Sequence, residues 1–410
     1  MQLVAYGAQD VYLTGNPEVT FYQAKYKRHT NFAMENIEQT VNGTAANSGR
    51  VSVTVARNGD LVGDMYLELE SDIDVTATAT AGDCNWVAER AISSVELSIG
   101  GQRIDKHYQK WWRLYSELYL DEAKKASWGK MTTAKDGYSV YLPLIFFFNR
   151  NPGLYLPLIA LQYHEVRIDI DLASDFDDFL NKSVFKVWAN YVYLDTEERR
   201  RFAQKGHEYL IEQVQHTGTD TVDPAATKQV RLSYNHPVKE LVWCFSNTAA
   251  KSSLWNFTKN NLATEIALQS AQTKIGASNC FVPISNLGTP MYSTELSTAA
   301  FTEEASGQLE TFKLVLNGQD RFKEQKGKYF NQVQAYNHHS GCPAPGVYSY
   351  SFALKPEEHQ PTGTCNFSRI DNAQVAVKMA AGTATSMHMF ATNYNVLRIQ
   401  SGMGGLAFSN

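Results

Sequence analysis

Apolar positions in this chain recur mostly at every second residue. In Val166-Arg167-Ile168-Asp169-Ile170-Asp171-Leu172 apolar and charged side chains alternate strictly. An extended chain places the apolar set on one face and the charged set on the other. The pattern predicts antiparallel β-sheet with one buried face, its other face meeting water or a polar partner surface. Upstream, two apolar runs, Leu142 to Phe148 and Leu154 to Leu161, flank Asn149-Arg150-Asn151-Pro152-Gly153. Proline fixes φ and glycine can take positive φ, so two strands are expected to meet at a turn there. Pro143 and Pro157 stand near the starts of the runs, where a strand tolerates them and a helix interior does not. His107 to Lys125 follows the helical period instead, with Trp111, Tyr115, Leu118 and Tyr119 on one face. Such an aromatic stripe reads as core, not as a cofactor pocket.

The order of elements recurs. Val95 to Arg103 and Phe312 to Arg321 are each a strand, a Gly-Gln turn and an arginine. The stretch Tyr141 to Ala173 has a weaker echo in Val347 to Pro356, the loop Glu357 to Gly363 and the alternating Ala373 to Met379. Offset by about half the chain, these pairs point to a duplicated domain and not to a short-period solenoid. The 410 residues accommodate two such domains. Hairpin-type turns at Asn42-Gly43 and Asn58-Gly59-Asp60 separate short alternating segments, as in a β-sandwich. The expected division is an extended arm over 1–24, a first sandwich over 25–196, a linker over 197–214 that is helical at its start, a second sandwich over 215–400 and a tail over 401–410. Ser246 to Gln308, rich in Ser, Thr, Asn and Ala, reads as an elaborated surface loop region.

Composition narrows the function classes. Aromatics make up 12% and charged residues 19% of the chain, with a net charge of −5. That is a β-rich globular composition, and its one dense basic run, Arg199-Arg200-Arg201, directly follows Glu197-Glu198, so no nucleic-acid-neutralising surface is indicated. The five cysteines, Cys84, Cys244, Cys280, Cys342 and Cys365, are odd in number and irregularly spaced, neither a disulfide framework nor a zinc pattern. No apolar run reaches the length of a membrane span and the N-terminus lacks signal-peptide features, so maturation in a reducing compartment is expected. The sequons at Asn42, Asn181, Asn256 and Asn366 then read as chance.

Candidate chemistry is sparse. His164-Glu165 and His207-Glu208 lack the second histidine that would put two zinc ligands on one helix face, and His164 is expected in a strand. His338 and His339 are adjacent and point apart in an extended chain, as loop residues do. Gly402-Met403-Gly404-Gly405 follows a strand without opening a helix, so it cannot cradle a phosphate. Asp169 and Asp171 read as a solvated or interface face and not as a catalytic dyad. No catalytic, cofactor-binding or metal-binding residue is assigned, and no cofactor. The profile is that of a structural or binding protein, with a lectin-like jelly roll or a β-sandwich hydrolase as the alternatives.

Several motifs carry a resemblance. Tyr6-Gly7-Ala8-Gln9-Asp10-Val11-Tyr12-Leu13-Thr14-Gly15-Asn16-Pro17, Ile99-Gly100-Gly101-Gln102-Arg103-Ile104-Asp105, the stretch from Tyr141 through His164, Leu316-Asn317-Gly318-Gln319-Asp320-Arg321-Phe322, Thr364-Cys365-Asn366-Phe367-Ser368-Arg369-Ile370-Asp371-Asn372 and Ser401-Gly402-Met403-Gly404-Gly405-Leu406-Ala407 stand in this order. Together they resemble the major capsid proteins of the nucleocytoplasmic large DNA viruses, above all those of viruses infecting algae. The segments Asp121 to Tyr138 and Ser246 to Gln308 depart from the pattern. The resemblance implies an all-β double jelly roll: two eight-stranded antiparallel β-sandwiches in tandem, with short helical insertions in loops. It implies a non-enzymatic homotrimer forming pseudo-hexagonal capsomers that contact neighbouring capsomers in an icosahedral virion shell. Minor capsid proteins would lie beneath the shell, with an internal viral membrane nearby, no direct nucleic-acid contact, and assembly in the host-cell cytoplasm. The arm over 1–24 would face inward, and the polar region Ser246 to Gln308 outward.

Overall fold

The alternation is realised as burial. In Val166–Leu172 the four apolar side chains are buried, Arg167 is exposed and both aspartates are half-buried. The computed structural model describes residues 7–15, 22–73, 86–134, 136–224, 226–246, 308–341, 343–344, 346–380 and 385–408. In the first half the strands are β1 (Phe32–Gln39), β2 (Val41–Asn42), β3 (Arg50–Thr54), β4 (Leu61–Ser71), β5 (Ile92–Ile99), β6 (Gln102–Tyr108), β7 (Ser139–Pro143), β8 (Leu156–Pro157), β9 (Val166–Leu172) and β10 (Leu180–Leu194). The second half holds β11 (His207–Val222), β12 (Lys228–Leu232), β13 (Pro237–Ser246), β14 (Leu309–Leu316), β15 (Gln319–Asp320), β16 (Gln325–Lys326), β17 (Val347–Ser351), β18 (Cys365–Asn366), β19 (Ala373–Met379), β20 (Thr385–Gln400) and β21 (Met403–Leu406).

The two halves repeat one topology. The sheet β1-β10-β4-β7, with β8 added on β4, matches β11-β20-β13-β17, with β18 added on β13. The facing sheet β2-β3-β9-β5-β6 likewise matches β12-β19-β14-β15 over its last four strands. All these pairings are antiparallel, and each half is a jelly roll. Even the hairpins correspond. Gly100 and Gly101 join β5 to β6 with φ of 57° and 83°, and Asn317 and Gly318 join β14 to β15 with φ of 52° and 76°. Two successive positive φ values define the two-residue turn whose twist matches that of the strands, which is why glycine and asparagine stand there.

One core lies inside the second sandwich, where Trp243 stacks on Phe312 at 4.3 Å and is flanked by Phe330 and Tyr348. The other fills the first sandwich and continues across to Val242, Cys244, Val347, Phe390, Leu397 and Ile399 of the second. Val242, Cys244, Val347 and Phe390 stand on the outer face of β11-β20-β13-β17, which the first sandwich covers there, while Leu397 and Ile399 meet the first sandwich from the other face of β20. Within the second sandwich, Ser246 pairs with Ser386 near the start of β20, and His207 pairs with Ile399 near its end. At about 3.3 Å per residue those ends lie about 40 Å apart. The region 247–307 itself lies outside the described residues; its anchors are at the end of the sandwich away from His207.

Several expectations are corrected. The run 142–148 is strand only to Pro143; Phe147–Arg150 is a helical turn and Leu154 belongs to the 3-10 turn Pro152–Leu154. A half-solvated strand buries alternate residues, whereas residues 144–149 are all buried, so the chain must coil to put them all inside. Residues 158–161 likewise form turns and not a strand. The helix expected over 107–125 is two helices, Gln109–Leu118 and Glu122–Thr132, with His107 and Tyr108 ending β6. Asp121 caps the second by accepting from the Lys124 N–H at 2.7 Å, and that cap breaks the run. The strand from Val347 stops at Ser351, whose hydroxyl bonds the Ala353 backbone and turns the chain. Residues 207–214, expected in a linker, lie in β11 from its first residue, so only Asp195, the helix Thr196–Gln204 and the two residues after it join β10 to β11. Asp195 caps that helix.

Gly100 is packed as well as turned: a Cβ there would fall 2.3 Å from the His164 ring, while one on Gly101 would meet nothing within 4 Å. Gly101→Ala should therefore cost about 1 kcal/mol, the left-handed backbone strain alone. Gly100→Ala should cost about 2–4 kcal/mol, because the ring must also move. Urea unfolding of the two variants measures the difference.

Candidate functional site

The face between the sandwiches holds a cluster of buried charge, with Glu212, Lys239, Glu240 and His339 all buried. Helix Gln109–Leu118 buries Trp111, Trp112, Leu114 and Leu118, and lies between the two halves. Trp111 packs on Phe390 of β20 with ring centroids 5.6 Å apart, and the Trp112 indole donates to the Pro143 carbonyl at 3.1 Å. Tyr115 and Tyr119 stack at 5.2 Å on the side facing β13.

Two carboxylates lie against this helix. Glu212 of β11 accepts from Arg150 at 2.8 Å, pairs with Lys239 at 2.7 Å and has His359 at 3.4 Å. Burial alone would raise its carboxyl, but Arg150 and Lys239 overcome that and hold it well below the usual range. Burial pushes the Lys239 ammonium down against the pull of Glu212; the group also lies 5.5 Å from the centre of the Tyr394 ring. Glu240 of β13, wholly buried, accepts from the Tyr119 hydroxyl at 2.5 Å and from His339 Nε2. The other ring nitrogen of His339, Nδ1, stands 3.3 Å from Glu357. A neutral imidazole has one N–H. Two carboxylate partners therefore hold this ring as imidazolium: burial works to lower His339, and Glu240 and Glu357 raise it to about 9.

A second contact joins the halves at the chain's end. Strand β21 pairs with β20, and the Gly404 N–H donates to His164 Nδ1 at 3.1 Å. The Leu406 N–H donates to the Gln102 side chain at 3.1 Å, and the Tyr163 N–H to the Gly402 carbonyl at 3.0 Å. The glycine-rich run thus ends in a clamp on the first sandwich. A Cβ on Gly404 would sit 2.8 Å from Leu161 and 3.2 Å from Ile99. Beside it a half-open cleft of about 510 Å³ is lined by Gln102, Arg103, Lys106, Gln213, His216 and Asn235.

The histidines and acids singled out in the sequence are kept apart in separate contacts. His164 lies in the loop before β9 and not in a strand, and His207 bonds the Phe202 carbonyl at 2.7 Å. Asp169 is bonded to Ser52 at 2.6 Å and Arg167 at 2.8 Å, while Asp171 takes both arms of Arg50 at 2.7 and 3.1 Å. No group of three metal-ligating side chains occurs among the described residues. No helix among them is long and apolar enough to cross a membrane. His338 ends a short helix, and His339, expected in a loop, is buried in the junction. Its role had no sequence signal, because Glu240 lies 99 positions away.

Comparison with known proteins decides what this architecture belongs to. Residues 198–405 match the profile described as large eukaryotic DNA virus major capsid protein, and residues 20–195 match that of the major capsid protein N-terminus. The chain belongs to the major capsid protein family of large eukaryotic DNA viruses. It is 43% identical to the major capsid protein of Paramecium bursaria Chlorella virus 1, covering 100% of this chain and 99% of the relative. The corresponding protein of Pyramimonas orientalis virus is 41% identical over the same shares. A structure titled as the capsid of the chlorella virus superposes with a TM-score of 0.75 at 39% identity, over 95% of this chain and 100% of that one. The faustovirus major capsid protein, 12% identical with a TM-score of 0.70, shares the fold. The family's role is structural and not enzymatic, so the buried charges described above serve the architecture of a capsid subunit.

The junction predicts a pH dependence. His339 is raised in the folded state, so its contribution is fully present below pH 6.5 and is lost as pH rises through about 9. A rise of that size corresponds to at most about 3 kcal/mol. Lys239, lowered in the folded state, acts with the opposite sign over its own range, so the comparison must be with a variant. Wild type should lose stability between pH 6.5 and 9, measured by urea unfolding, and His339→Gln should be flatter over that window.

Proposed function

We propose that the chain is the repeating subunit of an icosahedral virion shell and that it associates as a homotrimer. The observation that carries this reading is the repetition of one sheet order in both halves. Three copies of a duplicated sandwich present six similar outer edges, so one set of lateral contacts can recur across a large facet of pseudo-hexagonal capsomers. The match to a chlorella-virus capsid structure supports the same reading.

The finer parts of the proposal concern faces and neighbours. The division into an arm over 1–24, a first sandwich over 25–196, a second that begins with β11 at His207 and a tail over 401–410 goes with an inward face that carries the arm. In the arm Val11, Tyr12 and Leu13 are exposed on the short helix Asp10–Thr14, a surface suited to cover by a neighbour or a minor capsid protein beneath the shell. An internal membrane lies below that layer with no span contributed by this chain, the subunit makes no direct nucleic-acid contact, and assembly takes place in the host cytoplasm.

Light scattering of the purified protein at neutral pH should give three times the mass of the chain, unchanged by low salt. A folded monomer at micromolar concentration would sink the homotrimer.

A further inference from the structure

The two sandwiches are alike in topology and unlike in what covers them. The insert between β6 and β7 lies over the outer face of β11-β20-β13-β17, with Trp111 on Phe390 and Tyr119 on Glu240. The equivalent outer face, that of β1-β10-β4-β7, carries no such cover among the described residues. Phe32 and Met34 on its edge strand are 56% and 50% exposed. Tyr66, Tyr141 and Trp188 stand half-buried beside them. Their side chains are already held, Tyr66 edge-on to Tyr141 at 5.8 Å and Trp188 donating to Glu68 at 2.7 Å. Aromatic side chains fixed before contact lose little entropy on binding, which is the usual character of an interface anchor. The face is also acidic, with Glu38, Glu68 and Glu70 against Lys186.

The second sandwich carries the complementary part. Its insert, the π-helical turn Tyr329–Val333 followed by the helix Gln334–His338, is fixed from below. Phe330 packs on Phe312 at 5.0 Å, and Asn331 donates to the Val347 carbonyl at 2.8 Å. From above it is open: Tyr336 is 88% and Val333 42% exposed. Lys323 and Lys328 flank it in solvent, against Glu324, which is bonded to Thr311.

We propose that residues 329–338 of one copy seat on the outer face of β1-β10-β4-β7 of a second copy, Tyr336 among the aromatics and Lys323 and Lys328 toward Glu38 and Glu70. The inference rests on the self-association proposed above and names the surfaces that make it. Within one chain the first insert covers the second sandwich. Between chains the second insert covers the first sandwich, so the same kind of contact is made twice. Among the described residues each copy has one uncovered insert and one uncovered face, a head-to-tail arrangement that must close into a ring or run on as a filament. The opposite charges set orientation and encounter, and the aromatics supply the holding energy.

The test uses the full chain in a dilution series followed by fluorescence-detected sedimentation, with urea unfolding as the check of folding. Lys323→Glu with Lys328→Glu, and separately Glu38→Lys with Glu70→Lys, should each raise the concentration of half-association at least tenfold. All four substitutions in one chain should restore it to near the wild-type value, and Tyr336→Ala should weaken association at least tenfold. If the folded charge variants associate like wild type, or the fourfold variant is not restored, this docking pair is wrong while self-association stands. A wild-type monomer would overturn both.

Discussion

Glu212 and Glu240 sit on a sheet face that another domain has covered, and an ionised carboxylate in such a place must be neutralised or the junction does not form. The cost of leaving one unpaired is several kcal/mol, comparable to a large part of the stability of a domain. The neutralising groups come from different parts of the chain: Arg150 after β7, Lys239 within β13, Tyr119 from the end of the first helix and His339 from the second insert. Apolar contact between Trp111 and Phe390 is non-directional and tolerates sliding. Paired charges at 2.7–2.8 Å do not. We read the cluster as what selects one orientation of the two sandwiches from the many that would bury similar area.

The same reasoning explains why two sheets of equal topology differ in chemistry. On β13 the outward positions include Val242 and Cys244, and on β20 Phe390, all fully or almost fully buried. By the shared register with β17 and β7, the corresponding positions of β4 are Glu68 and Glu70. A face that is covered as the chain folds can be as apolar as a core. One that waits in solvent for a separate molecule has to stay polar, with aromatics placed singly, if the free subunit is to remain soluble. Duplication supplied the backbone twice, and the order in which each face is covered accounts for its side chains.

How much of this could be read from the sequence depends on the range of the interaction that fixes each element. The alternation in Val166–Leu172 and Ala373–Met379 and the two Gly-Gln hairpins are local, and their repetition at half the chain length announced the duplication. Residues 144–148, expected to extend as strand, coil instead, because an apolar run looks the same whether it extends as a strand or coils so that every residue goes inward. The helix break at Asp121 is local: an aspartate ahead of Glu122 is an N-cap signal, and the aromatic stripe on its own does not reveal it. Glu240 and His339 carried no such signal: each is an ordinary polar residue until the fold brings the other beside it.

The glycine-rich end shows the limit most clearly, because its composition suggested chemistry and its position supplies mechanics. Gly404 has no side chain because Leu161 and Ile99 already occupy the space a Cβ would take. His164, to which its N–H donates, is 240 residues away in sequence. Arg57 ties the loop before β9 to its own sandwich through the Gln162 and His164 carbonyls, and the His164 ring ties it to the second half. Strand β21 is held by β20, which is itself paired with β11, so the clamp is built on the second sandwich's own sheet. A contact of such separation carries a large loop-closure entropy that other pairings must offset. A second half that is incompletely folded leaves this tie to the first half unmade. Such a chain lacks the rigid two-sandwich body that repeating contacts between copies require.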